Sequence, residues 1–151
     1  MNKSHFDCLV NIYNSAPINK IYNPIMKLDL GECHIEMDIL EKFHHSGKIL
    51  HGSVFFKMLD DSAFFAANSY VEDVFLVTTS FTTYLTRPVS KGKIRSKGTV
   101  VNKNKSQIIA ESILFDDQKR EIARGSGLFV RSKFPLEDAL GYKSSLSWNL
   151  F

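Results

Sequence analysis

The first third of the chain predicts a short helix, a strand and a polar loop. Apolar side chains recur at helical spacing over residues 4–15, and Pro17 ends that helix. Residues 25–40 predict one strand or a bent strand, in which Gly31 marks a bulge or a turn. Residues 41–50 then form a polar loop that leads into the most informative part of the sequence.

A nearly continuous apolar stretch predicts a long helix over residues 52–69. It opens with the step Gly52-Ser53 and carries two adjacent acids, Asp60 and Asp61, in its middle. A carboxylate in an apolar helix is costly to bury, so these acids are the first candidates for chemistry. Apolar residues lie on several faces of this helix, and one sheet covers only part of that surface. We therefore expect a second subunit to cover the rest.

Four strand-like segments follow the long helix. The first covers residues 74–86, where hydroxyl side chains at even positions face away from apolar side chains at Phe75, Val77, Phe81 and Leu85. The others are predicted over residues 93–102, 106–116 and 120–131, with turn-forming residues between them. Consecutive strands joined by short turns pair antiparallel. A long helix against such a sheet is a two-layer α+β architecture.

Composition indicates one ordinary globular domain over residues 1–151, with a tail of undefined structure at 134–151. The chain is 44% hydrophobic and 23% charged, and its net charge of +3 is too small to predict nucleic-acid binding. The two cysteines, Cys8 and Cys33, fit no metal or disulfide pattern, so we expect free thiols and no metal site. No signal-like segment or membrane-length apolar run is present. We expect a cytoplasmic protein without membrane contact.

Neighbours along the helix favour Asp60 over Asp61 as the reactive acid. Phe56 and Phe64 lie one turn before and one turn after Asp60. Desolvation by such neighbours raises the pKa of a carboxyl group and suits it to act as a general base. Asp61 has Lys57 four residues before it, which predicts a surface ion pair. Because Lys57 is also three residues before Asp60, the preference for Asp60 is only about three to one.

Several motifs together resemble the hotdog-fold acyl-CoA thioesterases, and among them the PaaI-like (phenylacetate-pathway) group. They are His51-Gly52 at the start of the helix, the acid in its second or third turn, Ala-Asn-Ser at its end, and Arg-Pro-x-x-x-Gly after the next strand. The resemblance extends from Phe43 to Arg131. It implies an antiparallel sheet wrapped around a central helix and hydrolysis of acyl-CoA, with no cofactor other than the CoA of the substrate. It also implies a homodimer, or a tetramer of two dimers, with active sites between subunits.

The resemblance assigns roles to individual residues. Asp60 takes the place of the catalytic acid, either as a base that activates water or as a nucleophile that attacks the thioester. The backbone N–H of Gly52 takes the place of the group that binds the thioester carbonyl oxygen. His51 stands beside that group as an orienting residue. Thr78 falls where a hydroxyl positions the attacking water or the carboxylate.

The chain departs from the family in the loop before the helix. Many members carry Asn or Gln there as a second donor to the carbonyl, whereas this chain has His44-His45-Ser46. His45 has the nearest spacing and is a candidate substrate-binding residue, although a shift of one residue in the loop would favour His44. Ser53 and Asp61 are the remaining substrate-binding candidates.

Other interpretations of the same residues stay open. His51 could serve as a helix cap, and Thr78 is an ordinary strand residue. Hotdog dehydratases share the fold, but they have a proline-rich start to the helix, which this chain lacks. The main alternative to an enzyme is a non-catalytic acyl-CoA-binding or regulatory protein, because the usual Asn or Gln is missing. The acyl group is not specified by the sequence.

Overall fold

A long helix packed against a six-stranded sheet dominates the structure, a computed structural model that describes residues 3–142. The elements are α1 (Lys3–Ser15), α2 (Asn19–Tyr22), β1 (Ile25–Asp29), β2 (Glu32–Asp38), α3 (Gly52–Asn68), β3 (Val74–Leu85), β4 (Lys93–Lys103), β5 (Ile108–Phe115) and β6 (Glu121–Pro135). All strand pairs are antiparallel, and the spatial order is β1-β2-β4-β5-β6-β3. The predicted α+β class is confirmed. The helices predicted over 4–15 and 52–69 correspond to α1 and α3, whereas α2 was not predicted.

The long helix α3 lies close against the sheet. Met58 and Leu59 on α3 are fully buried, and burial of each such side chain stabilises the fold by about 1.5–3 kcal/mol. Where α3 passes β4, a Cβ added to Gly98 would overlap the backbone carbonyl of Ser62. The absence of a side chain at Gly98 thus allows the backbone of the helix to approach the strand directly. This close packing fixes the position of the acids in the middle of α3.

Residues 25–40 form two strands rather than the predicted single or bent strand. β1 ends at Asp29 and β2 begins at Glu32, and Gly31 between them has a φ of 71°. This left-handed conformation favours glycine. An added Cβ at Gly31 would also lie only 2.9 Å from the Tyr70 hydroxyl oxygen. The turn expected as one alternative at Gly31 is therefore confirmed, and the single strand was wrong.

Strand β3 differs from its prediction both in the strand with which it pairs and in the side of the sheet on which its side chains lie. It pairs with β6 at the edge of the sheet, whereas among the four strands after α3 only β4, β5 and β6 pair with their neighbours in sequence. The predicted inward residues Val77 and Leu85 are 45% and 51% exposed, and Leu76 is buried instead. The register shifts between Thr78 and Ser80. Such a shift reverses which face successive side chains occupy, and alternation read from the sequence cannot anticipate it.

The glycines of β6 make room for an aromatic ring. A Cβ added at Gly125 or Gly127 would overlap the ring of Phe81 on β3, so the absence of a side chain lets this ring approach β6 closely. Phe81 in turn meets Phe56 of α3 edge to face, with ring centroids 5.5 Å apart. β6 continues to Pro135, which lies within the predicted tail. The part of the tail over residues 143–151 lies outside the described residues.

Candidate active site

The acid predicted to be reactive, Asp60, is paired with the hydroxyl predicted beside it. Thr78 Oγ1 on β3 donates a hydrogen bond of 2.9 Å to Asp60 Oδ1 on α3. Burial raises the pKa of the Asp60 carboxyl, and the nearby charge of Asp61 adds to that rise. The Thr78 hydrogen bond and the Lys57 charge oppose it without cancelling it. Asp60 is therefore a half-buried carboxylate that binds a proton more tightly than an ordinary aspartate does.

The neighbouring acid, Asp61, is engaged elsewhere. It accepts hydrogen bonds of 2.7 Å from the Tyr13 hydroxyl of α1 and 2.6 Å from Lys57 Nζ. The predicted ion pair with Lys57 is formed, but the Lys57 and Asp61 side chains are only 12% and 20% exposed, so it is not a surface pair. The Lys57 ammonium also lies over the rings of Tyr13 and Tyr22. These contacts tie Asp61 to the packing of α1 on α3, and the structure does not join it to Thr78.

The start of α3 offers a backbone donor. His51 caps the helix, because its Nδ1 accepts a hydrogen bond of 3.0 Å from the Ser53 backbone N–H. The Ser53 hydroxyl oxygen lies 2.7 Å from the same nitrogen, so both polar groups of Ser53 are engaged in the cap. The Gly52 N–H has no partner within residues 3–142, as is usual at a helix start. It carries the partial positive charge of the helix end and can bind a ligand oxygen.

The two histidines of the preceding loop have different surroundings. His44 Nε2 donates a hydrogen bond of 2.7 Å to the Ser90 backbone carbonyl. The His45 ring faces the helix start, with its centroid 6.4 Å from that of His51. The structure therefore brings the ring of His45, and not that of His44, beside the ring of His51.

The backbone donor Gly52 and the acid Asp60 lie at different positions along the axis of α3. Gly52 and Asp60 are eight residues apart in one helix. At a rise of 1.5 Å per residue this corresponds to about 12 Å along the axis. This separation is too large for the Gly52 N–H and the Asp60 carboxylate of one subunit to bind the same carbonyl group and its attacking water. The predicted residues thus form two groups in one subunit, namely Asp60 with Thr78, and Gly52 with His51 and His45.

Exposed apolar side chains lie near both groups, on both faces of the sheet. We call this set the β3 patch; its members are on β3 and the first turns of α3, with exposed fractions of 42% for Phe56, 45% for Val77, 61% for Tyr84 and 51% for Leu85. Leu85 lies directly beside the helix start, 3.2 Å from the position of a Cβ added to Gly52. β3 is also an edge strand, so one side of its backbone is unpaired within the sheet.

A cleft of about 560 Å³ opens beside the loop that precedes α3, and is lined by residues 49, 88–92, 116–118 and 120. Two acids lie in it, and both are engaged. Asp116 accepts a hydrogen bond of 2.8 Å from Arg120 Nε, and Asp117 accepts one of 2.9 Å from the Lys93 backbone N–H. Lys91 has no carboxylate partner in the described part of the chain. The cleft therefore offers a positive side chain whose charge is not neutralised.

Two other features bear on the class of protein. Among residues 3–142, no group of three His, Cys, Asp or Glu side chains is placed to hold a metal ion. Within the same residues, no helix has both the length and the apolar character needed to span a bilayer.

Comparison with known proteins defines the family. Residues 47–123, just over half of the chain, match the Thioesterase superfamily, and the chain belongs to this family. No curated protein matches the chain. The resemblance drawn from the motifs is confirmed by this match and by the fold, and membership supports thioester hydrolysis as the general activity.

Solved structures show the same hotdog fold. The PaaI protein of the phenylacetic acid degradation operon of Escherichia coli is 17% identical, with 87% of this chain and 96% of that chain covered and a TM-score of 0.80. A thioesterase from Haemophilus influenzae is 14% identical, with 83% of this chain and 88% of that chain covered and a TM-score of 0.74. A mutant thioesterase from Staphylococcus aureus is 11% identical, with 75% of this chain and 96% of that chain covered and a TM-score of 0.72. At these identities the likeness concerns the fold.

Proposed function

We propose that the protein is a thioesterase that hydrolyses acyl-CoA to a free acid and CoA. The observation that carries this proposal is the Asp60–Thr78 pair, a half-buried carboxylate with a raised pKa in a chain of the thioesterase superfamily. A general base works best when its pKa lies near the working pH. Burial moves Asp60 in that direction.

The chemistry follows from these groups. Asp60 removes a proton from water as the water oxygen bonds to the thioester carbon. The electron pair of the C=O bond moves to its oxygen, and the Gly52 N–H donates a hydrogen bond to the resulting oxyanion. When the C=O bond re-forms, the C–S bond breaks. The leaving sulfur takes the proton held by Asp60, so one water and one thioester give one acid and one thiol.

Two copies of the chain complete each site in this proposal. Within one subunit, Gly52 and Asp60 are separated by about 12 Å along the helix. A two-fold dimer formed across the β3 patch would bring the Gly52 group of one copy to the Asp60 group of the other. The unpaired edge of β3 and the exposed apolar side chains next to both groups support this interface.

The cleft beside the helix start supports CoA as the thiol carrier. Its lining includes Lys91, which has no carboxylate partner among residues 3–142, whereas the other cation, Arg120, is paired with Asp116. Cationic side chains bind phosphate groups such as those of CoA. The cleft adjoins the loop that leads to Gly52, so a carrier bound there would extend its thioester toward the oxyanion donor.

The proposal is tested by mixing purified protein with a panel of straight-chain and aromatic acyl-CoAs. Free thiol is followed with a colorimetric reagent, and the carboxylic acid by mass spectrometry. We expect equal amounts of thiol and acid from at least one member. Saturable binding of acyl-CoA without thiol release would identify a non-catalytic binder. Conversion of an enoyl-CoA to its hydrate without thiol release would identify a dehydratase.

A further inference from the structure

We propose that the ring of Phe81 closes the inner end of the acyl pocket and limits the substrate to short acyl groups. This inference rests on the proposed function and names the substrate class of the same site. Phe81 is a half-buried side chain of β3, three residues beyond Thr78, and it lies on the side of the sheet that faces α3. Its neighbours are therefore the first turns of the helix that carries Asp60.

The Phe81 ring fills a space that β6 leaves open. A Cβ added at Gly125 would overlap ring carbon Cε1 of Phe81, and one added at Gly127 would lie 2.6 Å from its Cδ2. The same ring meets Phe56 of α3 edge to face, with centroids 5.5 Å apart. The ring is thus held between the backbone of β6 and the helix. A smaller side chain at this position would leave a cavity between α3 and β6.

The proposed dimer brings these two rings to its two-fold axis. Each Gly52 lies beside Asp60 of the other copy, so the axis passes close to the midpoint between these two residues on α3. That midpoint is Phe56. Its side chain is 42% exposed in one subunit, which leaves it available for burial by a second copy. Phe56 and Phe81 therefore lie between the two active sites of the dimer.

The CoA part of the substrate lies on the outer side of each site. Beyond Phe81, β3 passes Gly52 at Leu85, and the chain then lines the cleft with residues 88–92. Going outward from the axis, the order is thus the Phe81 ring, the oxyanion donor and the cleft. A thioester whose sulfur lies on the cleft side directs its acyl group toward the axis. The end of the acyl group therefore meets Phe56 and Phe81.

The distance from Asp60 to these rings sets the length of the acyl group. Phe56 precedes Asp60 by four residues on α3. At a rise of 1.5 Å per residue this is about 6 Å, the length of an extended chain of about five carbons. A longer chain would have to displace the Phe81 ring, which α3 and β6 hold in place. We therefore expect the native protein to prefer acyl groups of about four to six carbons.

A second pair of aromatic rings provides a matched control. Phe64 lies one turn after Asp60, and its ring packs on that of Phe75 of β3, with centroids 6.2 Å apart. This pair lies on the side of Asp60 away from the axis, so the acyl group does not reach it. Phe75→Ala makes the same change as Phe81→Ala on the same strand.

The test measures kcat/KM for thiol release from a straight-chain series that runs from acetyl-CoA to dodecanoyl-CoA. The native protein should lose activity on chains longer than hexanoyl. In Phe81→Ala the optimum should move to longer chains, and each methylene that enters the vacated space should raise kcat/KM about fourfold. Phe81→Leu leaves a smaller cavity and should give a smaller shift in the same direction. Phe75→Ala should keep the native chain-length profile.

The ratio of kcat/KM between long and short chains within one variant separates a change of specificity from a general loss of activity. An unchanged profile in Phe81→Ala and Phe81→Leu would overturn the inference, as would an equal shift in Phe75→Ala. A native optimum at decanoyl-CoA or beyond would also overturn it. Thermal unfolding of each variant checks that the fold is retained.

Failure of the proposed function gives a different result. If the native protein binds acyl-CoA but releases no thiol, it is not a thioesterase, and the Kd values of the same series and variants then test the limit set by Phe81. The expected and the contradicting profiles are the same as for kcat/KM. If the native protein neither binds nor hydrolyses any member, the proposed function and the inference both fail.

Discussion

The proposal that two copies share each active site makes a quantitative prediction about mixed dimers of two inactive variants. The first variant is Gly52→Pro, which removes the N–H that holds the oxyanion. Gly52 is the first residue of α3, where proline is favoured, and His51 before it has φ −63° and ψ 140°, which proline accepts in its neighbour. The helix should therefore form, while kcat falls about 10²–10³-fold. The second variant is Asp60→Asn, which removes the base.

The expected recovery follows from the symmetry of the dimer. A mixed dimer has one site with both defects and one site with neither, because the native Gly52 and the native Asp60 come from different copies. Random exchange of equal amounts makes about half of the dimers mixed, so about a quarter of the native activity should return in the unfractionated sample and about half in purified mixed dimers. The assay is thiol release after the variants, carrying different affinity tags, are co-expressed and purified over both tags.

The control pairs Gly52→Pro with the double variant Gly52→Pro/Asp60→Asn. No combination of these chains contains an intact site, so no recovery is expected. If purified mixed dimers of the two single variants show no more activity than their separate parents, each site lies within one subunit. The placement of Gly52 and Asp60 in one shared site would then be refuted.

Three further changes test the surroundings of the site. Thr78→Val removes a hydrogen bond that lowers the Asp60 pKa, so the low-pH limb of the kcat/KM profile should move to higher pH; an unchanged limb would separate Thr78 from the base. Asp61→Asn removes a charge that raises the same pKa, so the limb should move to lower pH. It should also lower the free energy of unfolding in urea by about 1–3 kcal/mol, because Tyr13 and Lys57 lose their charged partner; unchanged stability would show that the network does not hold α1. Gly98→Ala should destabilise the fold by about 3 kcal/mol or more, because its methyl group meets the backbone of α3 at Ser62; a native melting temperature would show that the helix can shift.

Most of the architecture was predictable because it depends on local patterns. The apolar run from Gly52 and the strand-like segments after it gave α3 and β3 to β6 with small errors at their ends. The pairing of β3 with β6 was missed, because it joins segments distant in sequence and no short turn signals it. The side of the sheet that Val77 occupies was predicted wrongly because two irregular steps, between Val74 and Leu76 and between Thr78 and Ser80, interrupt the alternation of β3.

In the candidate site, too, contacts between residues close in sequence could be predicted, whereas contacts between distant elements could not. The preference for Asp60 came from its aromatic neighbours, and the structure places Asp60 with Thr78 as the family resemblance implied. The partners of Asp61 could be predicted only in part, because Lys57 is local on the helix but Tyr13 comes from α1. Which of the rings of His44 and His45 lies beside His51 could not be read from spacing. The positions of the rings depend on their contacts with the backbone groups of Ser90 and Gly47.

The most direct test of the central claim compares the two adjacent acids. Thiol release from the best acyl-CoA substrate is measured at saturation for the native protein, Asp60→Asn and Asp61→Asn, with the fold of each checked by circular dichroism. We predict turnover by the native protein and by Asp61→Asn, and a loss of at least about 10²-fold in kcat for Asp60→Asn, since a general base contributes 10²–10⁴-fold. Native turnover by Asp60→Asn would contradict the assignment of Asp60 as the base.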